Sequence, residues 1–423
     1  MLSALLNAWR TPDLRKRLIF TFAVVALYRV GSWLPTPGVN TATLKDFFNN
    51  GSGSGGILGV LNTFAGGALS NLSLFALGIM PYITASIIVQ LMTTVIPQLE
   101  AMQKEGEGGQ KRITQYTRYG TVGLAVLQSA GYTYAFESGL FGQDLLPNLS
   151  VGNFILIVTT LTAGTTLLMW LGELITQRGV GNGISLLIFA SILTSGPTAI
   201  RAWINGGTFE RLSLPIVTLG VILAVVYINE GQRRIPVQYA KRQVGRRMTA
   251  GGATYLPLRV NMAGVIPVIF AVAVLFFPPT VAQLVGANGV ARFLQPGGWP
   301  ATIFEFVLIV GFTFLYTAVM FNPIEQADNL KKYGGFIPGV RPGRPTAAYL
   351  DRVLTRLTLP GAIYLGIIAV LPTLFIKYAG FSQATSQAIG GTSILIVVGV
   401  ALDAMRQMES QMMMRHYEGV LKK

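Results

Sequence analysis

The sequence predicts an all-α membrane protein with ten transmembrane helices in two inverted five-helix halves. Three observations predict this fold: an apolar composition, ten apolar runs, and basic residues concentrated in alternate loops. Of the 423 residues, 51% are hydrophobic and only 12% are charged, whereas soluble domains carry roughly 25% charged residues. The mean hydropathy is +0.54. This composition excludes an ordinary water-soluble domain and indicates a membrane protein.

Ten apolar runs are candidates for membrane spans, since a helix needs about 20 mostly apolar residues to cross the hydrocarbon core. The fifth and sixth runs are short relative to this requirement. The ten predicted spans are Leu18 to Leu34, Leu72 to Val95, Tyr116 to Phe136, Asn153 to Leu171, Ile184 to Ile200, Leu214 to Ile228, Asn261 to Val281, Ile303 to Phe321, Leu357 to Ile376, and Thr392 to Leu402 with a helical continuation.

The distribution of basic residues supports this number of spans. If the N-terminus is cytoplasmic, 26 of the 32 Lys and Arg residues fall in cytoplasmic segments and five in outer segments. This bias is the positive-inside pattern, and it places both termini in the cytoplasm. The remaining one, Arg29, lies within the first span, and we expect it to extend to the outer interface. Because no small-residue cleavage pattern follows the first run, we expect an uncleaved first span.

A short internal repeat divides the chain into two halves. The segment Gly78 to Ile83 in the second span resembles the segment Gly264 to Ile269 in the seventh. These are the second members of two five-span units, and an odd number of spans inverts one unit relative to the other. The predicted halves are residues 1–206 and 207–423, and the second half carries large cytoplasmic loops at about 230–259 and 323–352.

A short apolar segment lies between the first and second spans. A glycine- and serine-rich stretch, residues 51–56, precedes the apolar run Ile57 to Phe64. This run is too short to cross a membrane. It could lie at the outer interface, which its composition alone favours, or it could be buried in a cavity of the helix bundle.

The sequence offers little chemistry for an enzyme. It contains no cysteine and a single histidine, His416, close to the C-terminus, which argues against disulfides, zinc sites and Ser-His hydrolysis. We therefore expect no catalytic residue, metal or cofactor. Coupled transporters usually keep a carboxylate in mid-membrane, whereas the acidic residues here lie near predicted span ends. A secondary transporter with inverted repeats nevertheless remains the alternative function.

Two basic loops and several isoleucines are further candidates for function. The loop Glu230 to Arg259 carries seven positive charges, and a second basic loop runs from Lys331 to Gly343. Such loops could contact anionic lipid, RNA or an acidic partner, or could serve only to orient the protein. Isoleucines recur at helical spacing in several spans, and from spacing alone we expect them to face lipid or a protein core.

Six segments of the chain resemble motifs of a known protein family, and they occur in the same order as in that family. They are Leu74 to Ile83, Gln115 to Gly120, Gly181 to Ser185, Arg233 to Arg242, Val260 to Pro267, and Gly339 to Gly343. These segments resemble the SecY family of protein-conducting channel subunits. The resemblance implies an hourglass channel in the bacterial cytoplasmic (inner) membrane. Such a channel passes unfolded secretory proteins across the membrane and releases hydrophobic segments laterally into it.

The resemblance also assigns roles to residues inside the membrane. The ring that closes the waist of the channel would consist of Ile79, Ile83, Ile184, Ile188, Ile266, Ile269, Leu395 and Ile396. A plug at about residues 55–67 would block the outer side through Ile57, Leu58, Val60, Leu61 and Phe64. The second and seventh spans would part sideways as a lateral gate, near Pro81, Thr84, Gln128 and Asn261.

The resemblance further implies partners outside the membrane core. The membrane partners would be the SecE and SecG subunits together with membrane lipid. The SecA ATPase and the ribosome, through its RNA, would bind the basic loops, and the substrates would be unfolded preproteins with signal sequences. The residues that would contact SecA or the ribosome are Arg233, Arg234, Lys241, Arg242, Arg246, Arg247 and Arg341.

Overall fold

The fold is a bundle of helices with a small sheet on one side, as a computed structural model shows. The structure describes residues 9, 11–39, 41–49, 56–138, 145–146, 150–239, 242–244, 247–249, 253–284, 289, 293–294, 298–379 and 391–421.

Nine helices and a single 3-10 turn occupy the described residues up to position 206, and a tenth helix follows them. A helix lies at each of the first five predicted spans. In chain order they are α1 (Pro12–Gly31), α2 (Thr41–Asn49), α3 (Gly56–Phe64) followed by the 3-10 turn (Leu69–Asn71), α4 (Met80–Val95), α5 (Pro97–Lys104), α6 (Glu107–Glu137), α7 (Val151–Arg178), α8 (Gly183–Leu193), α9 (Gly196–Asn205), and α10, which follows position 206 as Thr208–Glu230.

The rest of the chain combines long helices with short strands. The strands are β1 (Gln232–Tyr239), β2 (Arg242–Val244), β3 (Arg247–Thr249), β4 (Ala253–Arg259) and β5 (Gly335–Phe336). The remaining helices are α11 (Ile266–Leu284), α12 (Trp299–Met320), α13 (Pro323–Lys332), α14 (Arg344–Ala379) and α15 (Gly391–Leu421).

Length and hydropathy identify membrane spans among the described helices. Five stretches are long and apolar enough to cross a membrane, and α4 and α5 would add a sixth if this bent pair, with 98° between its helices, were one span. The helix α8 and the first part of α11 are apolar but shorter. The five stretches are Val151–Arg178, Arg211–Glu230, Trp299–Lys332, Arg344–Leu371 and Gly391–Met413.

Two predicted spans differ from the helices that the structure shows. The second was predicted to begin at Leu72, but residues 72–79 form turns and a β-bridge that pairs Ser73 with Pro35, so the helix begins only at Met80. The fifth was predicted as one run, but a turn at Thr194 and Ser195 separates α8 from α9. Hydropathy measures only how apolar a run is, and it does not detect breaks in a helix that is surrounded by protein.

The basic loop after α10 contains a sheet, which the prediction of an all-α fold did not include. In antiparallel pairing β1 lies between β4 and β5, with Arg233 opposite Leu258 and Gln238 opposite Phe336. Ile235 and Val237 of β1 are buried while their neighbours are exposed, which is the period-two pattern of a strand. The short strands β2 and β3 pair with each other.

Buried apolar side chains form separate clusters in the bundle and under the sheet. The largest cluster contains residues of α1, α3, α4, α6, α7, α8, α11 and α15. We call it the central cluster. A second cluster joins α10, α11, α12, α14 and α15. A third packs the sheet residues Ile235, Val237 and Leu258 against Leu350 and Val353 at the start of α14.

Candidate pore and gate

The central cluster brings together most of the predicted ring residues. Ile79, Ile83, Ile188, Ile269 and Ile396 are each at most 5% exposed within it. They come from four different parts of the chain, on both sides of position 206. Ile184 and Ile266 are half-buried and pack against the same cluster. The cluster therefore joins apolar side chains of both predicted halves at one place.

Leu395 does not lie with the other predicted ring residues. It is buried in the second cluster, with Val268, Ile309 and Leu365. Successive residues of an α-helix point about 100° apart, so Ile396 can face the central cluster while Leu395 faces away from it. The assignment of Leu395 to the ring is therefore not supported by its position.

The two halves of the internal repeat have the same local backbone. Gly78 and Gly264 both adopt left-handed backbone angles, with φ of +58° and +66°. In each case a helix begins two residues later and a proline occupies its second position, as Pro81 in α4 and Pro267 in α11. Proline is favoured in the first turn of a helix because the nitrogen atoms there have no intrahelical partner. The short sequence match therefore corresponds to a repeated structure.

Hydrogen bonds in the two helix starts support the residue pairing that this repeat implies. The N–H of Ile83 donates to the Ile79 carbonyl at 3.2 Å, and the N–H of Ile269 donates to the Val265 carbonyl at 3.3 Å. Val265 is thus the counterpart of Ile79, and it is 5% exposed in the central cluster. Val265 was absent from the predicted ring, although counting from the two glycines would have identified it.

The short helix α3 is buried against the bundle. Leu58 and Phe64 are 5% and 4% exposed, and both belong to the central cluster. Val60 and Leu61 are half-buried against it, and the side chain of Ile57 lies outside the described residues. Since α3 packs against both α8 and α11, it contacts helices of both predicted halves. The expectation drawn from composition alone, a helix at the outer interface, is not what the structure shows.

The predicted gate helices, α4 and α11, pack against each other. Pro81 and Thr84 are buried in α4, where the Thr84 hydroxyl donates to the Met80 carbonyl at 3.0 Å. Gln128 of α6 is half-buried, and α6 also contacts both α4 and α11. Three predicted gate residues, Pro81, Thr84 and Gln128, therefore lie on α4 and α6, at the boundary between α4 and α11.

Asn261, the fourth predicted gate residue, binds within the second half of the chain. Its Nδ2 donates to Asn229 Oδ1 at 2.9 Å and to the Gly264 carbonyl at 3.0 Å. It lines a cavity of about 170 Å³ that also includes Tyr316, Asp403 and Arg406. Asn261 therefore ties the segment before α11 to α10.

A bidentate ion pair joins the third and fourth predicted spans. Arg118 of α6 donates from Nε and an Nη atom to both carboxylate oxygens of Glu173 in α7, at 2.9 and 2.6 Å. A third bond goes from Arg118 to Gln115 Oε1 at 3.1 Å. Bidentate pairs of this kind fix the relative orientation of two elements. Glu173 therefore holds α7 in a fixed orientation relative to α6.

The basic loops contribute exposed arginines on β1 and in the turn after β5. Arg233 and Arg234 lie exposed on β1, and Arg341 is exposed in the turn after β5. The Thr346 hydroxyl donates to the Arg341 carbonyl at 2.8 Å, and left-handed glycines at 339 and 343 flank this turn. Of the other predicted contact residues, Lys241 and Arg246 lie outside the described residues, as do the side chains of Arg242 and Arg247.

Arg29 does not simply extend to an outer interface, as the sequence suggested. One of its Nη atoms donates to the Gly66 carbonyl at 2.9 Å and to Ser32 Oγ at 3.2 Å, and its guanidinium lies 5.9 Å from the centroid of the Trp33 ring. Gly66 lies two residues after Phe64, the last residue of α3, so Arg29 binds the segment just beyond the buried short helix.

The family model for SecY matches residues 73–405 of this chain. Among curated proteins, the protein translocase subunit SecY of Streptomyces galbus is 51% identical, with 100% of both chains covered. The protein of the same name from Mycobacterium tuberculosis strain H37Rv is 47% identical, again over 100% of both chains. These identities extend over the whole chain and are not confined to the six segments.

Solved structures of similar fold include one described as a protein conducting channel, with a TM-score of 0.65 and 18% identity, covering 94% of this chain and 92% of the other. Another is Sec61 in a canine ribosome-channel complex from the endoplasmic reticulum, with a TM-score of 0.62, 17% identity and the same coverage. At these identities the likeness concerns the fold.

Proposed function

This chain belongs to the SecY family of protein translocase subunits, and we propose that its central cluster is the closed waist of a protein-conducting channel. The family role is the translocation of proteins, which is not an enzymatic activity, and the relatives do not favour a secondary transporter. One observation carries the assignment of the waist: isoleucines from both halves are buried in the same cluster as two residues of the short helix α3.

An apolar waist suits a channel that must accept many unfolded chains. Specific polar contacts would favour some substrates over others, whereas apolar side chains offer no hydrogen bonds and can exclude water when the channel is idle. Isoleucine is bulky and stiff at χ1. We propose that Ile79, Ile83, Ile188, Ile269 and Ile396 form the ring, with Ile184 and Ile266 at its edge. Val265 joins them as the counterpart of Ile79.

In this proposal α3 is the plug of the channel. It is only nine residues long, and its apolar residues fill the centre of the bundle from between α8 and α11. Its displacement would open the space that Leu58 and Phe64 occupy. The ten-helix hourglass of the family, with α3 as its plug, is the arrangement that we propose for this chain.

The boundary between α4 and α11 is the proposed lateral gate. A hydrophobic signal sequence inside the channel would leave through this boundary, because lipid is a better solvent for apolar side chains than the aqueous channel. Thr84 and Gln128 lie on the helices that form the boundary. Separation of α4 from α11 would also widen the ring, because the two helices carry Ile83 and Ile269.

The proposed setting is the bacterial cytoplasmic membrane, with both termini in the cytoplasm, as the distribution of basic residues predicts. SecE and SecG are the proposed membrane partners. The SecA ATPase and the ribosome would bind the basic surface that includes Arg233, Arg234 and Arg341 and would supply the energy for transport. Arginine suits this task because its planar fork binds phosphates and carboxylates in bidentate fashion.

Crosslinking in this cysteine-free chain tests the channel directly. Single cysteines replace Ile83 or Ile269 in the proposed ring, and matched cysteines replace the exposed Ile367 or Leu219 on the outside of the bundle. A secretory chain that is stalled in transit and carries a crosslinker should react with the ring positions and not with the outer ones. Equal reaction at both sets of positions would contradict a central channel.

A further inference from the structure

The end of α3 is bound by side chains of two other helices. The Tyr28 hydroxyl of α1 donates to the Ala65 carbonyl, 3.1 Å away, and its oxygen lies 2.6 Å from Ser191 Oγ of α8. Ser191 Oγ also lies 2.8 Å from the Leu187 carbonyl of its own helix. Each hydroxyl carries one hydrogen, so Tyr28 binds the Ala65 carbonyl when the Ser191 hydroxyl donates either to the Tyr28 oxygen or to Leu187. Tyr28 is 1% exposed and Ser191 is 4% exposed, so water cannot readily replace these bonds.

A second bond holds the next carbonyl of the same segment. Arg29 donates to the Gly66 carbonyl at 2.9 Å, and its bond to Ser32 Oγ at 3.2 Å supports its position. Hydrogen bonds from a charged donor are stronger than those between neutral groups. Two neighbouring residues of α1 therefore bind two neighbouring carbonyls just after the last residue of α3.

The backbone at Gly66 is confined by the same residues. A Cβ atom at this position would lie 2.8 Å from the Tyr28 hydroxyl oxygen and 3.2 Å from the Ser191 Cα atom. Gly66 also has a left-handed φ of +67°, which only glycine adopts readily. The chain at this point is thus held closely between α1 and α8, whereas the preceding residues of α3 pack mainly through apolar contacts.

We propose that Tyr28, Arg29 and Ser191 form a latch that holds the C-terminal end of α3 and thereby keeps the plug in the closed channel. The inference rests on the proposed role of α3 as a plug. Ser191 is on the same helix as the ring residues Ile184 and Ile188, so a movement of α8 that widens the ring would also separate Ser191 from Tyr28. The latch therefore couples the width of the ring to the release of the plug.

The test measures how often the plug leaves its site. Leu58→Cys provides a single thiol on α3 that is buried in the closed channel and accessible to a membrane-impermeant thiol reagent only when α3 moves. In the reconstituted channel complex, Tyr28→Phe, Ser191→Ala and Arg29→Gln should each accelerate labelling by about 2- to 10-fold, as expected for the loss of one hydrogen bond. Tyr28→Phe retains the ring that stacks on Phe75 at 5.7 Å.

Matched controls use exposed residues of the same types. Tyr134→Phe and Arg201→Gln change residues that are exposed and lie away from α3, and they should leave the labelling rate unchanged. An unchanged rate in Tyr28→Phe and Ser191→Ala overturns the latch, and these two variants decide the question if Arg29→Gln does not accumulate.

A separate measurement distinguishes failure of the latch from failure of the plug. Deletion of residues 57–64 should raise the ion conductance of the channel. If the deletion leaves the conductance unchanged, the plug assignment itself is wrong, and the latch with it. If the deletion raises the conductance while Tyr28→Phe and Ser191→Ala leave labelling unchanged, the plug assignment stands and the latch alone is wrong.

Discussion

Ile83 and Ile269 occupy the same position in two matching helix starts, each five residues after a left-handed glycine, and both are buried in the central cluster. Their helices, α4 and α11, pack against each other. The repeat thus places one isoleucine of the proposed ring on each side of the proposed lateral gate. Opening of the gate and opening of the ring would therefore be a single movement.

Polar substitution in the ring should open the channel. Ile83→Asn or Ile188→Asn puts an amide into a dry apolar cluster, which costs the closed state about 1–3 kcal/mol. Because 1.4 kcal/mol corresponds to a factor of ten, we expect about a tenfold higher open fraction, together with export of substrates with weakened signal sequences. Single-channel recording in lipid bilayers measures the open fraction.

Ile367→Asn is the matched control for the ring variants. Ile367 is 51% exposed on α14, where we expect it to face lipid. A polar side chain there should lower accumulation of the protein without changing its conductance. If the ring variants accumulate normally yet conduct like the wild type, the assignment of the ring is wrong.

The repeat predicts that polar substitutions at Val265 and at its neighbour Ile266 differ in their effect on the open fraction of the channel. Val265 is the counterpart of Ile79 and is 5% exposed, whereas Ile266 is half-buried at the edge of the cluster. Val265→Asn should therefore raise the open fraction about as much as Ile79→Asn does, and more than Ile266→Asn. The same bilayer recordings compare the three variants. A larger effect of Ile266→Asn would favour the assignment from family resemblance over the backbone match.

Removal of the plug should leave the bundle folded. Deletion of residues 57–64 removes a short segment that, as the proposed plug, fills a cavity between the long helices. We therefore expect near-normal accumulation with raised ion leakage or relaxed signal selectivity. Conductance and export of a substrate with a defective signal measure these effects. Loss of the folded protein would instead identify α3 as part of the structural core.

The two repeat glycines should differ in their tolerance of alanine. A left-handed conformation costs a non-glycine residue about 1–2 kcal/mol, so both Gly78→Ala and Gly264→Ala should lower the unfolding temperature. Gly78→Ala should cost more, because its Cβ atom would lie 3.2 Å from Ala65 Cα, while the nearest atom to a Cβ at Gly264 is Asp403 Oδ2 at 3.6 Å.

Gly123→Ala provides the control for the glycine variants. Gly123 lies within α6, and a Cβ atom there would have no neighbour within 4 Å outside the backbone of its own helix. Alanine at this position should be neutral or stabilising by up to about 1 kcal/mol. Thermal unfolding in detergent compares the three variants, and equal effects at all three positions would refute the backbone argument.

Charge reversal at Arg341 should weaken the proposed binding of a cytoplasmic partner. Arg341→Glu changes an exposed side chain in a turn that is held through its main chain, so we expect normal insertion of the protein but impaired SecA-driven transport or ribosome binding. Arg341→Lys keeps the charge without the bidentate geometry and should be impaired less. Normal transport and normal ribosome binding in Arg341→Glu would contradict the contact.

Hydropathy predicted the long helices well because burial in lipid or protein requires continuous apolar runs. A described helix overlaps each of the ten predicted spans. The ends of the spans were less accurate. The turn at residues 72–79 is largely apolar, so hydropathy continues through it, whereas the break at Thr194 and Ser195 is polar and is followed by Gly196 and Pro197, a turn signal that the prediction of one continuous run did not use. Gly78, followed by Pro81, was the available sign that the helix begins late.

The details of the site depended on contacts that a sequence does not display. The density of positive charge around Ile235 and Val237 predicted only a basic loop, whereas the pairing of this segment with β4 and β5 makes it a strand. Arg29 was expected to extend to the outer interface because nothing in the sequence brings Gly66 near it. Leu395 and Ile396 are adjacent in sequence, and only the packing of α15 shows which of them faces the central cluster.

The sheet has a mechanical consequence for the way a partner acts on the channel. Strands β1 and β5 connect the two basic loops, and Ile235, Val237 and Leu258 are anchored on Leu350 and Val353 of α14. A force applied at Arg341 would therefore not be absorbed by bending of a loose segment. It would reach the sheet and the first turns of α14 together. Pro360 and Gly361 inside this 36-residue helix would then be the place where the helix bends in response.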